Sequence, residues 1–109
     1  MKNKLFALVL ALALCLTAFA ATAEVEGVKL GVILLHDEDS TYDLNFINGV
    51  NEAVAALGLS EDQVIMKRNV AESNDCYEAA LDLVDEGCNL IFANSFGHET
   101  YILAAAKEC

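Results

Sequence analysis

Apolar and polar positions run in blocks along residues 28–107, and the hydrophobic period changes from block to block. Val28-Lys29-Leu30-Gly31-Val32-Ile33-Leu34-Leu35 is a nearly continuous apolar run. Such a run marks a strand buried on both faces, as in parallel sheets. A polar loop, residues 36–41, follows. Leu44, Ile47, Val50, Val54 and Leu57 then recur every three or four residues and predict a helix with one apolar stripe. Ser40 and Asp43 stand at the spacing of a capping box, and Gly58 is placed as a C-terminal stop. Residues 63–68 predict a second strand, shorter and more polar, as suits an outer position. After a second polar loop, residues 75–86 predict a helix with Ala79, Ala80, Leu83 and Val84 inward and Gly87 as its end. Residues 89–93 predict the third strand. Asn94-Ser95-Phe96-Gly97-His98 leads from it into a last helix, residues 99–107, carrying Tyr101, Ile102 and Ala105.

Strands and helices that alternate through short loops form right-handed βαβ units on a parallel sheet. The expected fold class is therefore α/β, a three-stranded parallel βαβαβα unit with strand order 2-1-3. Open sheets of this kind bind ligands beyond the carboxyl ends of their strands, near the switch point. Loops 36–43, 69–74 and 94–98 lie there. All three are polar, and Tyr42 and Phe96 set aromatic rings among the polar groups. The third helix and one flank of the third strand are left short of packing partners.

The N-terminus reads as a targeting segment rather than as part of the fold. Lys2 and Lys4 are followed by an uncharged stretch to Ala23, apolar over residues 5–16 and then built of small residues. Ala21-Thr22-Ala23 is an A-x-A site, so residues 1–23 are expected to be a cleaved signal peptide and residues 24–109 the mature chain. The rival is an uncleaved anchor, since roughly 20 apolar residues span a bilayer. A lipid anchor on Cys15 has a poor lipobox, because Leu14 stands where a small residue is wanted. Export to the periplasm or to the outer face of the cell membrane is the expected location.

Removing 23 of 109 residues leaves 86, about half of a normal doubly wound domain. These keep Lys29, Lys67, Arg68 and Lys107 against all seventeen acids, a net charge of −13. Such a chain repels phosphate backbones, which argues against a nucleic-acid partner. Cys76, Cys88 and Cys109 have no C-x-x-C spacing and lie far in sequence from His36 and His98, so no metal site and no cofactor are expected. Cys88 precedes a buried strand and reads as a small core residue. A Cys76–Cys88 bridge is the alternative, which helix geometry decides.

The loops carry a family likeness. Residues 32–43 through Gly49, together with Ile91-Phe92-Ala93-Asn94-Ser95-Phe96-Gly97-His98, resemble the basic membrane protein (BMP) family, the PnrA-like substrate-binding proteins of ABC transporters. Asp39, Tyr42 and Gly49 keep that family's spacing after the first strand, and Ser95-Phe96-Gly97 its Ser-Phe-Gly element after a buried strand. Tyr42 stands where the family usually has Phe. The likeness covers essentially the whole mature chain. It implies the first lobe of a type I periplasmic-binding-protein fold, incomplete here, with the ligand held between two lobes. It also implies capture of a small molecule such as a purine nucleoside, delivery to an ABC permease in the membrane, no catalysis, and a monomer when complete. By position, Tyr42 would stack on the base, and His36, Asp37 and Asp39 would line the sugar or base edge. Asn94, Ser95, Phe96 and His98 would close the site from the third loop.

Two other functions fit parts of the sequence. An extracytoplasmic ligand-sensing receptor domain would use the same loops. An exported hydrolase would draw on Ser95, His98 and Asp37, but neither a nucleophile elbow nor a G-x-G-x-x-G loop follows the first strand.

Overall fold

The computed structural model describes residues 25–109, together with Lys4. The expected signal peptide, its cleavage site and Cys15 lie outside the described residues. Strand β1 (Leu30–Ile33) is followed by helix α1 (Thr41–Leu57), β2 (Val64–Lys67), α2 (Asn74–Asp85), β3 (Leu90–Ala93) and α3 (Glu99–Glu108), with single 3₁₀ turns at Glu61–Gln63 and Phe96–His98. The sheet is parallel with order β2-β1-β3. Leu30, Gly31, Val32 and Ile33 pair with Val64 to Lys67 on one side and with Leu90 to Ala93 on the other. The α/β reading and the 2-1-3 order are thus observed. β1 is shorter than the apolar run, ending at Ile33, although the Leu34 N–H continues the ladder to the Lys67 carbonyl at 2.9 Å.

The pleat divides the core in two. Leu30, Val32 and Leu34 face α1, where they pack with Ile47, Val50, Val64 and Met66. Ile33 faces the other way, into a larger cluster formed with Cys76, Ala79, Ala80 and Leu83 of α2, Ala105 of α3, and Val70 and Cys88. Each fully buried aliphatic side chain in it contributes about 1.5–3 kcal/mol. Gly31 lets α2 approach closely: a Cβ there would sit 2.9 Å from Leu83 Cδ1. Helix α2 ends in a Schellman turn. Gly87, at φ 95, donates to the Val84 carbonyl, and Cys88 donates to Leu83.

Several expectations are corrected. In the stripe of α1 only Ile47 is buried, while Leu44 and Leu57 are exposed. Val84 of α2 is exposed, and Cys76 takes the inward place. Leu90 and Phe92, read as buried, are 48% and 57% exposed. For Leu90 and Phe92 the cause is the reach of α1. α1 lies over β1 and β2, and no described element covers the same face of β3. A groove of about 450 Å³ remains there, lined by Leu30, Val32, Phe46, Gly49, Ala53 and Phe92 among others. The capping box is half formed. Ser40 accepts from the Asp43 N–H at 3.4 Å, but the Ser40 N–H donates to the Asp37 carbonyl and the Asp43 carboxylate accepts from Asn94 and the His36 N–H. Cys76 and Cys88 are both free. Cys76 sits in the first turn of α2 and Cys88 beyond its last residue, Asp85, so nearly the whole helix separates them, about 14 Å at 1.5 Å per residue, which is beyond disulfide reach.

Candidate functional site

The strand order brings the loop after β1 between the loops after β2 and β3, and hydrogen bonds join the three. On the β2 side, the Asn69 N–H donates to the His36 carbonyl at 3.1 Å and Val70 donates to Leu34 at 3.0 Å. Asn69 holds a left-handed backbone, φ 57, and its amide donates to Asp37 Oδ2 at 3.1 Å. Asparagine tolerates that conformation better than most residues. Arg68 Nε and Nη2 both reach Glu38 Oε1, at 2.8 and 2.6 Å.

On the β3 side the joint is Asn94, which is buried. Its Oδ1 accepts from the Leu35 N–H at 3.0 Å, and its Nδ2 donates to Asp43 Oδ1 at 2.7 Å. Its carbonyl accepts from the Tyr42 hydroxyl at 2.9 Å. Asp43, only 1% exposed, also accepts from the His36 N–H at 3.1 Å and lies 3.5 Å from His36 Nδ1. Burial alone raises its pKa. The bonds from Asn94, the His36 N–H and Ser40, with the charge of His36, outweigh burial and hold it down at about 2. Asp43 is therefore a buried carboxylate that pins the start of α1 to the loop before it and to the loop after β3.

Between the outer loops, Ser95 Oγ donates to Glu72 Oε1, and the Gly97 N–H donates to the same oxygen at 3.1 Å. The bond from Ser95 is the largest influence on Glu72 and lowers its pKa. Asp37 is lowered as well, first by the Asp39 N–H and then by Asn69.

The eight residues expected in the site fall into three groups. Tyr42, Asp39, Phe96 and the His36 ring face solvent, with Phe96 91% exposed. Asp37 and Ser95 are half-buried and bonded within the loops. Asn94 and His98 are buried. His98, expected to close the site, has its Nε2 2.8 Å from the Val70 carbonyl and no exposed surface, so it fastens the last loop to the core. No side-chain hydrogen bond links Ser95, His98 and Asp37; Ser95 and His98 meet only through the backbone, where the His98 N–H donates to the Ser95 carbonyl at 3.1 Å. Each is engaged by a different partner: Glu72, Val70, and the Asp39–Asn69 pair. Among the described residues no three His, Cys, Asp or Glu side chains are grouped to hold a metal ion.

Three contributors were not singled out from the sequence. Phe46 stands one helical turn from Tyr42, with ring centroids 5.1 Å apart and planes tilted by 52°, and so backs the tyrosine. The i, i+4 spacing on a predicted helix could have shown it. Glu72 and Asn69 carry no local signal, since their roles depend on loops distant in sequence.

The surface this leaves is a shallow rim at the carboxyl ends of the strands. It carries an exposed tyrosine face, carboxylates and an imidazole, with a second aromatic ring at its edge. The 450 Å³ groove shares only Asn94 and Phe46 with this set. Its apolar lining fits uncovered packing surface better than a polar-solute site. No protein-family model and no curated protein matches this chain.

Proposed function

We propose that residues 24–109 are the first lobe of an exported solute-binding protein of the PnrA-like kind. In this reading the lobe captures a small solute such as a purine nucleoside and presents it to an ABC permease, with binding and no chemistry. The observation that carries the reading is the setting of Tyr42. Its hydroxyl is tied to the Asn94 carbonyl at 2.9 Å and its ring is backed by Phe46, yet the residue stays 59% exposed at the switch point of the sheet. A ring held at both ends with a free face suits stacking on a planar base. Asp37 and Asp39 beside it are acceptors for sugar hydroxyls. The resemblance in loops 36–43 and 94–98 supplies the solute class.

One lobe provides one side of a cleft, so affinity is expected to be weak. Titration of the chain with adenosine, guanosine and inosine, followed by NMR, tests the reading. Shifts should centre on residues 36–42 and 95–96 with a Kd weaker than about 1 μM, or roughly −8 kcal/mol. Tyr42→Ala should weaken binding at least tenfold while leaving the remaining spectrum folded. No shifts at millimolar nucleoside, or binding indifferent to Tyr42→Ala, would remove the proposal.

A further inference from the structure

At the opposite end of the sheet from the rim, β3 begins and α3 finishes. Because α3 runs back antiparallel to β3, the residue just before the strand and the residue just after the helix come to the same end of the molecule. Both are cysteines. Cys88 and Cys109 line one cavity of about 340 Å³, whose remaining wall is mainly Ala80, Val84, Ile91, Ile102 and Ala105. Both thiols are free, Cys88 buried at 5% exposure and Cys109 exposed. Cys76 is set apart from them, fully buried near the rim end with its Sγ 3.8 Å from the His98 carbonyl.

We propose that Cys88 and Cys109 are partners in a disulfide that fastens the end of α3 to the base of β3. Cys109 lies beyond the last helical residue, Glu108. The cavity it shares with Cys88 is the space across which the two thiols would meet, with the two Cα atoms within about 7 Å as disulfide geometry demands. The oxidant is an external disulfide of the glutathione class. The exposed Cys109 thiolate attacks it, forming a mixed disulfide and releasing one thiolate, which takes up a proton. The Cys88 thiolate then attacks Cys109 Sγ, forms the internal S–S bond and releases the second thiolate. Two protein thiols are oxidised and one external disulfide is reduced to two thiols. The order follows from access, and burial also pushes the Cys88 thiol pKa up, making it a poor first nucleophile. An exported location would supply such an oxidant. Beyond that shared expectation of export, the proposal rests on no part of the solute-binding reading.

The test is incubation of the full chain in oxidised and reduced glutathione, alkylation of the remaining thiols, and peptide mapping by mass spectrometry. The expected product is a Cys88–Cys109 linked peptide pair, with Cys76 alkylated only after unfolding. The oxidised form should melt at least about 5 °C higher than the reduced form, and dithiothreitol should reverse the change. Cys109→Ser should abolish the linkage and the shift. Cys88→Ala, which keeps an apolar side chain in the wall, should do the same without unfolding the protein. Glutathione persisting on Cys109 while Cys88 stays free would overturn the proposal. So would a Cys109–Cys109 link between copies, seen as a dimer on a non-reducing gel.

Discussion

Asn94 donates its side-chain amide to Asp43 at 2.7 Å, and this bond ties the end of β3 to the first turn of α1. The same side chain accepts from the Leu35 N–H at 3.0 Å. Asn94→Ala would take from the buried Asp43 Oδ1 one of its two donors, leaving it the His36 N–H, and would leave the Leu35 N–H without its acceptor. The expected loss is about 3 kcal/mol in urea unfolding, from the charged hydrogen bond and the unsatisfied donor left behind. A loss under about 1 kcal/mol would mean that water replaces the amide.

Acid should unfold this protein partly through Asp43. Its folded pKa, about 2, lies below the ordinary 3.8. A depressed carboxylate contributes stability that is present above the unfolded value and is lost as pH falls through the folded one. Asp37, Glu38 and Glu72 are lowered too and add in the same direction. Melting temperatures at pH 6, 4 and 2 should therefore fall most steeply below pH 4. Asp43→Asn should start lower but lose less over that interval. Parallel curves for the two proteins would refute this role for Asp43.

Gly31 and Leu83 form a tight contact between β1 and α2. A Cβ on Gly31 would meet Leu83 Cδ1 at 2.9 Å and Leu83 Cβ at 3.3 Å. Gly31→Ala should cost about 1–3 kcal/mol by overpacking. Leu83→Ala should cost about 2–5 kcal/mol by leaving a cavity. The double variant should cost less than the two added together, because the new methyl occupies part of that cavity. Additive values in a double-mutant cycle would show that the helix moves away instead.

The two sheet edges are guarded differently. On β2, Lys67 reaches Asp82 at 3.3 Å and Arg68 follows it. β3 offers Leu90 and Phe92 with neither charge nor proline, the composition that invites edge pairing. Phe92→Lys should shift stability by no more than about 0.5 kcal/mol, since the side chain is largely exposed. It should also reduce light scattering in concentrated solution. Unchanged scattering would locate self-association elsewhere.

Periodicity alone determined which segments are strands and which are helices, and through the βαβ rules the order of the sheet. These depend on local features: the apolar run at 30–35, the Ile47–Val50 spacing, and glycines at 58 and 87. Local features also drew attention to Tyr42 and Asn94, because aromatic and amide groups in strand-end loops stand out. What each group does was decided by the tertiary structure. Asp43 resembled a helix cap and is instead a buried joint, because parallel pairing sets residue 94 beside residue 35. His98 resembled a ligand contact and lies in the core, because the 3₁₀ turn at Phe96–His98 directs it toward Val70. Leu90 and Phe92 are as apolar as the buried residues of β1. Only the position of α1 over the other two strands leaves them in water. Residue type limits the partners a side chain can accept, but long-range packing supplies the partner it has.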